Sequence, residues 1–203
     1  MKNRDYKIFR PDTYHHVYNR GNDKMDIFNN QEDFLNFLKR LRLVLGLEQG
    51  SSLRIQPLPK NSFSIICYCL MPNHFHFLIR QNTKIPISNL ISKLCTSYSM
   101  YFNKKYDRIG GLFQDQFKSI LVEDDQYLLW LSAYIHQNPA IAGLVQNLND
   151  YSYSSYTDYV NLKENPLVDK NLLLGMVENY EKFVLESFNK IKSQKNMQYL
   201  ILE

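Results

Sequence analysis

The chain holds 203 residues, 44% of them hydrophobic and 22% charged, a globular composition that excludes a wholly disordered or low-complexity polypeptide. No apolar run approaches the ~18 residues needed to span a bilayer, and the charged start Met1-Lys2-Asn3-Arg4-Asp5 has no apolar stretch behind it of the kind a signal peptide needs. Three cysteines, two of them the close pair Cys67 and Cys69, argue against a disulfide scaffold and fit a reducing cytoplasm. The net charge of +4 conceals a division. Residues 1–120 carry 18 Lys+Arg against 9 Asp+Glu, residues 121–203 carry 6 against 11, and every arginine lies at or before Arg108. A basic, arginine-rich part with many aromatics suits a polyanionic partner; the competing reading is a solvated basic face.

In chain order, Tyr14 to Asn19 is short, aromatic and β-branched, and reads as a strand ending at the turn Arg20-Gly21-Asn22-Asp23. Asn30, with Asp33 three residues on, resembles a capping box and opens a helix through Phe34, Phe37, Leu38, Leu41 and Leu45, with Gly50 after its stop. Ser51 to Asn61, with Pro57 and Pro59, is a connection. Phe63 to Met71 reads as a buried strand, and His74 to Arg80 as its hairpin neighbour across Pro72-Asn73. Ser88 caps a second helix through Leu90, Ile91, Leu94, Tyr98, Tyr101 and Phe102, ended by Gly110-Gly111. Lys118 to Val122 is a further strand. Asp124 caps a third helix that Pro139 bounds. The order β-α-β-β-α-β predicts an α+β, ferredoxin-like (RRM-like) antiparallel sheet with helices on one face. Residues 1–150 form that domain, and 151–203 a C-terminal helical extension with one long polar helix, roughly Asn171 to Lys192.

His74-Phe75-His76 is the sharpest local feature. Residues i and i+2 of a strand share a face, so both imidazoles can reach one metal ion while Phe75 points to the helices. Tyr134 and Asn138 share a helix face one turn apart. A tyrosine can be a nucleophile, and an amide oxygen can serve a hard metal; core packing and a helix-end cap are the bland readings. Cys67 and Cys69 near the histidines raise a zinc site, against which stands their position inside an apolar strand. His15 and His16 alternate across the first strand, so at most one faces any site.

Four blocks then stand in order: Tyr14-His15-His16-Val17-Tyr18-Asn19-Arg20-Gly21-Asn22; Cys69-Leu70-Met71-Pro72-Asn73-His74-Phe75-His76-Phe77-Leu78; Phe113-Gln114-Asp115-Gln116-Phe117-Lys118-Ser119; and Tyr134-Ile135-His136-Gln137-Asn138-Pro139, followed by Ala142-Gly143-Leu144-Val145. Together they resemble the single-tyrosine HUH transposase family, the insertion-sequence-200-like group, and within it the REP-associated tyrosine transposases. The resemblance runs from about Thr13 to Tyr156.

It implies a ferredoxin-like fold, the HUH pair at His74 and His76, the nucleophile at Tyr134, and Asn138 in the place of the glutamine that insertion-sequence members use as third metal ligand. Gln137 would point round the helix. A divalent cation, Mg²⁺ or Mn²⁺, is the implied cofactor. Single-stranded or hairpin DNA is the implied partner, cut through a 5′-phosphotyrosine and rejoined without ATP. One tyrosine per chain implies a homodimer or two rounds for a full excision. Arg20, Asn22, Lys24, Arg80, Lys104, Lys105, Arg108 and Lys118 are the candidate DNA contacts. The cell compartment implied is the cytoplasm, at the nucleoid when DNA is bound, with no membrane partner. The alternatives are a host-adopted or inactive relative that binds DNA or RNA hairpins without cutting, and a zinc-stabilised regulatory module.

Overall fold

The computed structural model describes residues 10–49, 55–161 and 164–193. Its strands are β1 (Thr13–Arg20), β2 (Phe63–Met71), β3 (His74–Gln81) and β4 (Lys118–Val122). The helices are α1 (Gln31–Val44), α2 (Ile87–Lys105), α3 (Asp125–Ile141), α4 (Tyr156–Val160), α5 (Asn171–Met176) and α6 (Tyr180–Ser193). The sheet runs β2-β3-β1-β4 with every neighbouring pair antiparallel. This is the ferredoxin-like order expected from β-α-β-β-α-β.

One face of the sheet carries Phe75 and Phe77, which meet Phe37 of α1 at 5.3 and 6.2 Å between ring centroids. Phe37 in turn stands edge-on to Tyr98 of α2, and the Tyr98 hydroxyl donates to the Ile27 carbonyl at 2.5 Å. So α1 and α2 share this face, as the pattern predicts. The opposite face is not left to solvent. Cys67, Cys69, Met71, Leu78 and Val122 are buried there, and α3 packs across β2, β3 and β4. Strands apolar on both faces need cover on both, and α3 with α6 supplies the second layer.

The helix ends correct several expectations. The α1 cap is as read: the Asn30 side chain accepts from the Asp33 N–H at 3.3 Å. The Asp33 carboxylate reaches one residue further back, to the Asn29 N–H at 2.9 Å. Helix α1 stops at Gly46 rather than Gly50, because Gly46 takes the left-handed φ of +71° while the N–H of Leu47 closes on the Arg42 carbonyl. Gly50 and Ser51 to Arg54 lie outside the described residues. Helix α2 starts after Pro86, whose fixed φ suits a helix entrance, so Ser88 sits inside the first turn. Pro139 does not bound α3: the helix continues to Ile141 with the proline inside it. The expected long C-terminal helix is two, α5 and α6, broken at the extended Val177. The Asn179 side chain accepts from the Lys182 N–H and restarts the chain as α6.

Residues 151–160 are stitched onto β2. Leu70 N–H bonds to the Tyr153 carbonyl, Ser155 N–H to the Tyr68 carbonyl, and the Tyr151 and Tyr159 hydroxyls donate to the Leu70 and Ile66 carbonyls at 2.7 Å. A polarised chain crosses this layer. His136 Nδ1 faces the Tyr180 hydroxyl at 2.9 Å, which donates to Ser132 Oγ, which donates to the Leu129 carbonyl. Those directions make His136 Nδ1 the donor. Its Nε2 then accepts from Ser155 Oγ at 2.8 Å, and Ser155 Oγ takes the Tyr68 N–H. Protonating His136 Nε2 would break this order. Burial lowers the pKa of His136, and that of His16 on β1, to about 3.

The unfolded chain takes up these protons near pH ~6.5 and the folded chain does not. Stability should therefore be level above that pH. It should fall as pH drops from about 6.5, by up to about 1.4 kcal/mol per pH unit for each such histidine. Urea midpoints at pH 7.5, 6 and 5 measure this; a flat profile would show that the folded chain takes up these protons as readily as the unfolded one.

Candidate active site

The register of β1 on β3 builds the site. Tyr18 faces His76, Arg20 faces His74, and His16 faces Leu78. Side chains alternate along a strand, so His16, Tyr18, Arg20, His74 and His76 all lie on the α3 side of the sheet. The tight turn Pro72-Asn73 joins β2 to β3 directly before His74. Its carbonyls are held by the N–H groups of Gly21, Ile27 and Phe28. Gly21 is needed for space here: a Cβ would lie 2.1 Å from the Met25 carbonyl oxygen.

The His74 and His76 rings stand edge to face, 5.1 Å between centroids, and the Tyr134 ring stands edge to face on His76 at 5.8 Å. Tyr134 thus meets His76 of its own chain and lines one cleft with His74. A cleft of about 460 Å³ is lined by Arg20, Asp26, Asn73, His74, Tyr134 and Asn138.

Each polar group in this cluster has a defined orientation. Asn73 Nδ2 donates to the Lys24 carbonyl, which turns its Oδ1 to His74 Nδ1 at 2.6 Å. An amide oxygen only accepts, so Nδ1 carries the hydrogen and His74 Nε2 keeps its lone pair. Burial, with the Arg20 charge beside it, lowers the His74 pKa to about 4, against a hydrogen bond to Asn138 that the ring would make only when protonated and that raises it. Burial, then the neighbouring His74 and His16, hold the His76 pKa well below the ordinary value. His76 Nδ1 lies 3.0 Å from His16 Nε2, and His76 Nε2 is buried with no hydrogen-bond partner.

Asn138 is oriented by the proline that follows it. Pro139 has no N–H to give the Ile135 carbonyl. Asn138 Nδ2 turns back instead, to the Tyr134 carbonyl at 2.9 Å and the Ile135 carbonyl at 3.4 Å. Its Oδ1 is thereby left for the cleft. Gln137 points away, its amide donating to the Val184 carbonyl of α6.

Two neutral imidazoles with a bare Nε2 on His74, an orphaned Nε2 on His76, and an amide oxygen fit a divalent cation that also takes phosphate oxygens. A zinc centre of cysteines and histidines does not fit. Among the described residues no three His, Cys, Asp or Glu side chains are arranged so that together they could hold a metal ion. Cys67 and Cys69 are fully buried, and burial raises both thiol pKa values.

The basic candidates divide. Arg20 lines the cleft; Asn22 and Lys24 are exposed on the turn beside it, and Lys118 is exposed at the start of β4, 5.6 Å from the Tyr18 ring. Arg80 lies toward the far end of the sheet, bonded to Asp12 at 2.7 Å. Lys104 is exposed at the end of α2. Arg108 bonds Asn103 and covers Phe102. Burial works against the Lys105 charge, but hydrogen bonds to Asp33, Glu32 and Tyr101 more than offset it and raise its pKa. Lys105 ties α2 to α1. Sequence reasoning left out Asn73 and Asp26 and gave His16 no role. The available signal was the period-2 run His16, Tyr18, Arg20, which becomes informative only once β1 is paired with the strand of His74 and His76.

Residues 52–138 match the family described as "Transposase IS200 like". A Haemophilus influenzae protein, "Putative REP-associated tyrosine transposase", is 29% identical over 46% of this chain and 59% of its own length, so the chain spans well under two thirds of that relative. The solved structure of a REP-associated tyrosine transposase bound to a REP hairpin superposes with a TM-score of 0.58 at 15% identity, over 83% of this chain and 97% of that one. A "putative transposase" from Deinococcus radiodurans gives a TM-score of 0.42 at 13% identity, over 68% and 96%. The likeness to the IS200-like transposase family covers residues 52–138. The relatives it resembles are REP-associated tyrosine transposases.

Replacing Asn138 by aspartate sets a carboxylate against two helix carbonyls and removes their donor. Asn138→Asp is expected to cost roughly 1–3 kcal/mol, read as a lowered urea midpoint; an unchanged midpoint would show that the amide does not hold these carbonyls.

Proposed function

We propose that this protein is a single-tyrosine transposase that cleaves and rejoins single-stranded DNA at hairpin-bearing ends. The observation that supports this reading is the gathering of Tyr134, His74 and Asn138 around one cleft of a single chain, with the buried His76 ring against both His74 and Tyr134. We assign the catalytic parts to residues 1–150 and treat 151–203 as a C-terminal extension, whose described residues cover α3 and β2.

The site divides the work. Arg20, and beside it Asn22 and Lys24, would receive the phosphates of a strand entering the cleft, with an affinity that falls as salt rises. Lys118 and Tyr18 offer a cation and a ring at the adjoining sheet edge. Tyr134 Oη attacks the scissile phosphorus. The bond from phosphorus to tyrosine oxygen forms, the bond to the 3′-oxygen breaks, and the phenol proton reaches the departing 3′-hydroxyl through solvent. The ester is kept as a 5′-phosphotyrosine, so a later attack by another 3′-hydroxyl restores a strand without ATP. A phenol ionises only near pH ~10 in water, and help is needed at neutral pH. A Mg²⁺ or Mn²⁺ ion held by His74, His76 and Asn138 would supply positive charge to the phosphate oxygens. The neutral imidazoles leave it that charge undiminished. Two copies of the chain would bring two tyrosines to an excision. Cytoplasmic placement follows this reading; among the described residues no helix is long and apolar enough to cross a membrane.

The test is a cleavage assay on single-stranded hairpin DNA with Mg²⁺ or Mn²⁺. The wild-type chain should give a covalent protein–DNA band that survives denaturation. That band should be absent in Tyr134→Phe and in chelator. An equal band in Tyr134→Phe removes Tyr134 as nucleophile. Hairpin binding with no covalent band in the wild-type chain favours a relative that binds without cutting.

A further inference from the structure

We infer that His16 is a positioning residue that holds the His76 ring in its Nδ1–H form, so that the buried Nε2 keeps its lone pair toward His74 and Tyr134. The inference rests on the functional reading above for its purpose, but not for its geometry.

One hydrogen lies between His16 Nε2 and His76 Nδ1, which are 3.0 Å apart. The outer nitrogens of the same two rings, His16 Nδ1 and His76 Nε2, are both buried without a partner. With one hydrogen on each ring and one of these in the shared bond, two arrangements exist. In the first, His76 Nδ1–H donates to His16 Nε2, His76 Nε2 is bare, and His16 carries its hydrogen on Nδ1. In the second, His16 Nε2–H donates to His76 Nδ1, and His76 Nε2 carries a hydrogen that nothing accepts. Each arrangement leaves one buried N–H unpaired, so hydrogen-bond counting does not choose between them.

The sheet does. His16 pairs with Leu78, on the C-terminal side of His76, while His74 and its partner Arg20 lie on the N-terminal side. With Nδ1 turned to His16, Nε2 is the ring nitrogen left for the His74 and Arg20 side. On that side stands Arg20, paired with His74 and acting on it with its charge; an N–H dipole aimed toward a cation is disfavoured and a bare lone pair favoured. The first arrangement also moves the unpaired N–H to His16 Nδ1, away from the guanidinium.

The residue type makes sense on the same grounds. A carboxylate is a common partner for a ligand histidine. At position 16, which is fully buried, it would bring a charge that has no counter-ion beside it. A neutral imidazole accepts from His76 without that cost. It also lies near-parallel to the His76 ring, 14° between planes, and 4.8 Å from Tyr18, so the ring is held by packing as well as by its hydrogen bond. His74 reaches the same state through Asn73. Two different neighbours thus present the two imidazoles alike.

The experiment is nitrogen NMR on the full chain with ¹⁵N-labelled histidine, free of metal and DNA, in wild type, His16→Gln and His16→Leu. Wild type should show His76 protonated on Nδ1. His16→Gln, whose amide oxygen can occupy the place of Nε2, should keep that form. His16→Leu should shift it toward Nε2–H. Mn²⁺ binding to the same samples, read by electron paramagnetic resonance, should weaken roughly 10–100-fold in His16→Leu and recover in His16→Gln. His76 protonated on Nε2 in wild type, or on Nδ1 unchanged in His16→Leu, overturns the inference. If His16→Leu does not fold, the wild-type spectrum and His16→Gln decide it. A wild-type chain that binds no Mn²⁺ overturns the metal reading of the cleft, while the tautomer still decides the role of His16.

Discussion

The pairing of β1 with β3 is the constraint on which the rest of the molecule depends. A slip of one residue would carry every side chain of β1 to the other face. His16, Tyr18 and Arg20 would leave His76 and His74 and enter the aromatic layer of α1 and α2. The observed register is defended on both faces. Phe75 and Phe77 are committed to Phe37 on one side, and Gly21 N–H is committed to the Asn73 carbonyl at the turn. The site therefore inherits its order from the core. No loop has to be folded over it to bring the two histidines together.

Helix α3 contributes the other half, and it is positioned from its far side. The His136, Tyr180, Ser132 and Ser155 network ties α3 to α6 and to β2, one turn or less from Tyr134 and Asn138. Along this helix the sequence alternates between tasks: Tyr134 and Asn138 face the cleft, while His136 and Gln137 face the outer layer. The helix carries few exposed residues over its second half, because both of its sides are occupied. The C-terminal extension thus takes part in placing the tyrosine, although none of its described residues adds a side chain to the histidine cluster.

Much of this was legible in the order of residues. The strand pair around Pro72-Asn73 and the shared face of His74 and His76 follow from period-2 alternation. The helix relation of Tyr134 to Asn138 follows from its spacing. The cap at Asp124 followed from local chemistry, since its side chain accepts from Tyr127 N–H. What failed to show was of one kind. Pro139 reads locally as a helix boundary, and only the turned-back Asn138 amide makes its interior position tolerable. Asn171 to Lys192 reads as one polar helix, and only the burial of Tyr180, Val184 and Ile191 shows that its second part is a packing surface. His16 and Asn73 have no local signature, because the partners that orient them lie 60 residues away in the chain for one and 49 for the other, at the Lys24 carbonyl.

The turn Pro72-Asn73 places the chemistry at one end of the sheet, where β1 ends, β2 ends, and β3 and β4 begin. The connection from α1 enters β2 at Phe63, at the opposite end, beside Gln81 and Thr13. Changes of length there are separated from the histidines by the full run of a strand. Such a protein can lengthen, shorten or recompose that connection over evolutionary time, and acquire new binding surface with it, while the reacting groups keep their places.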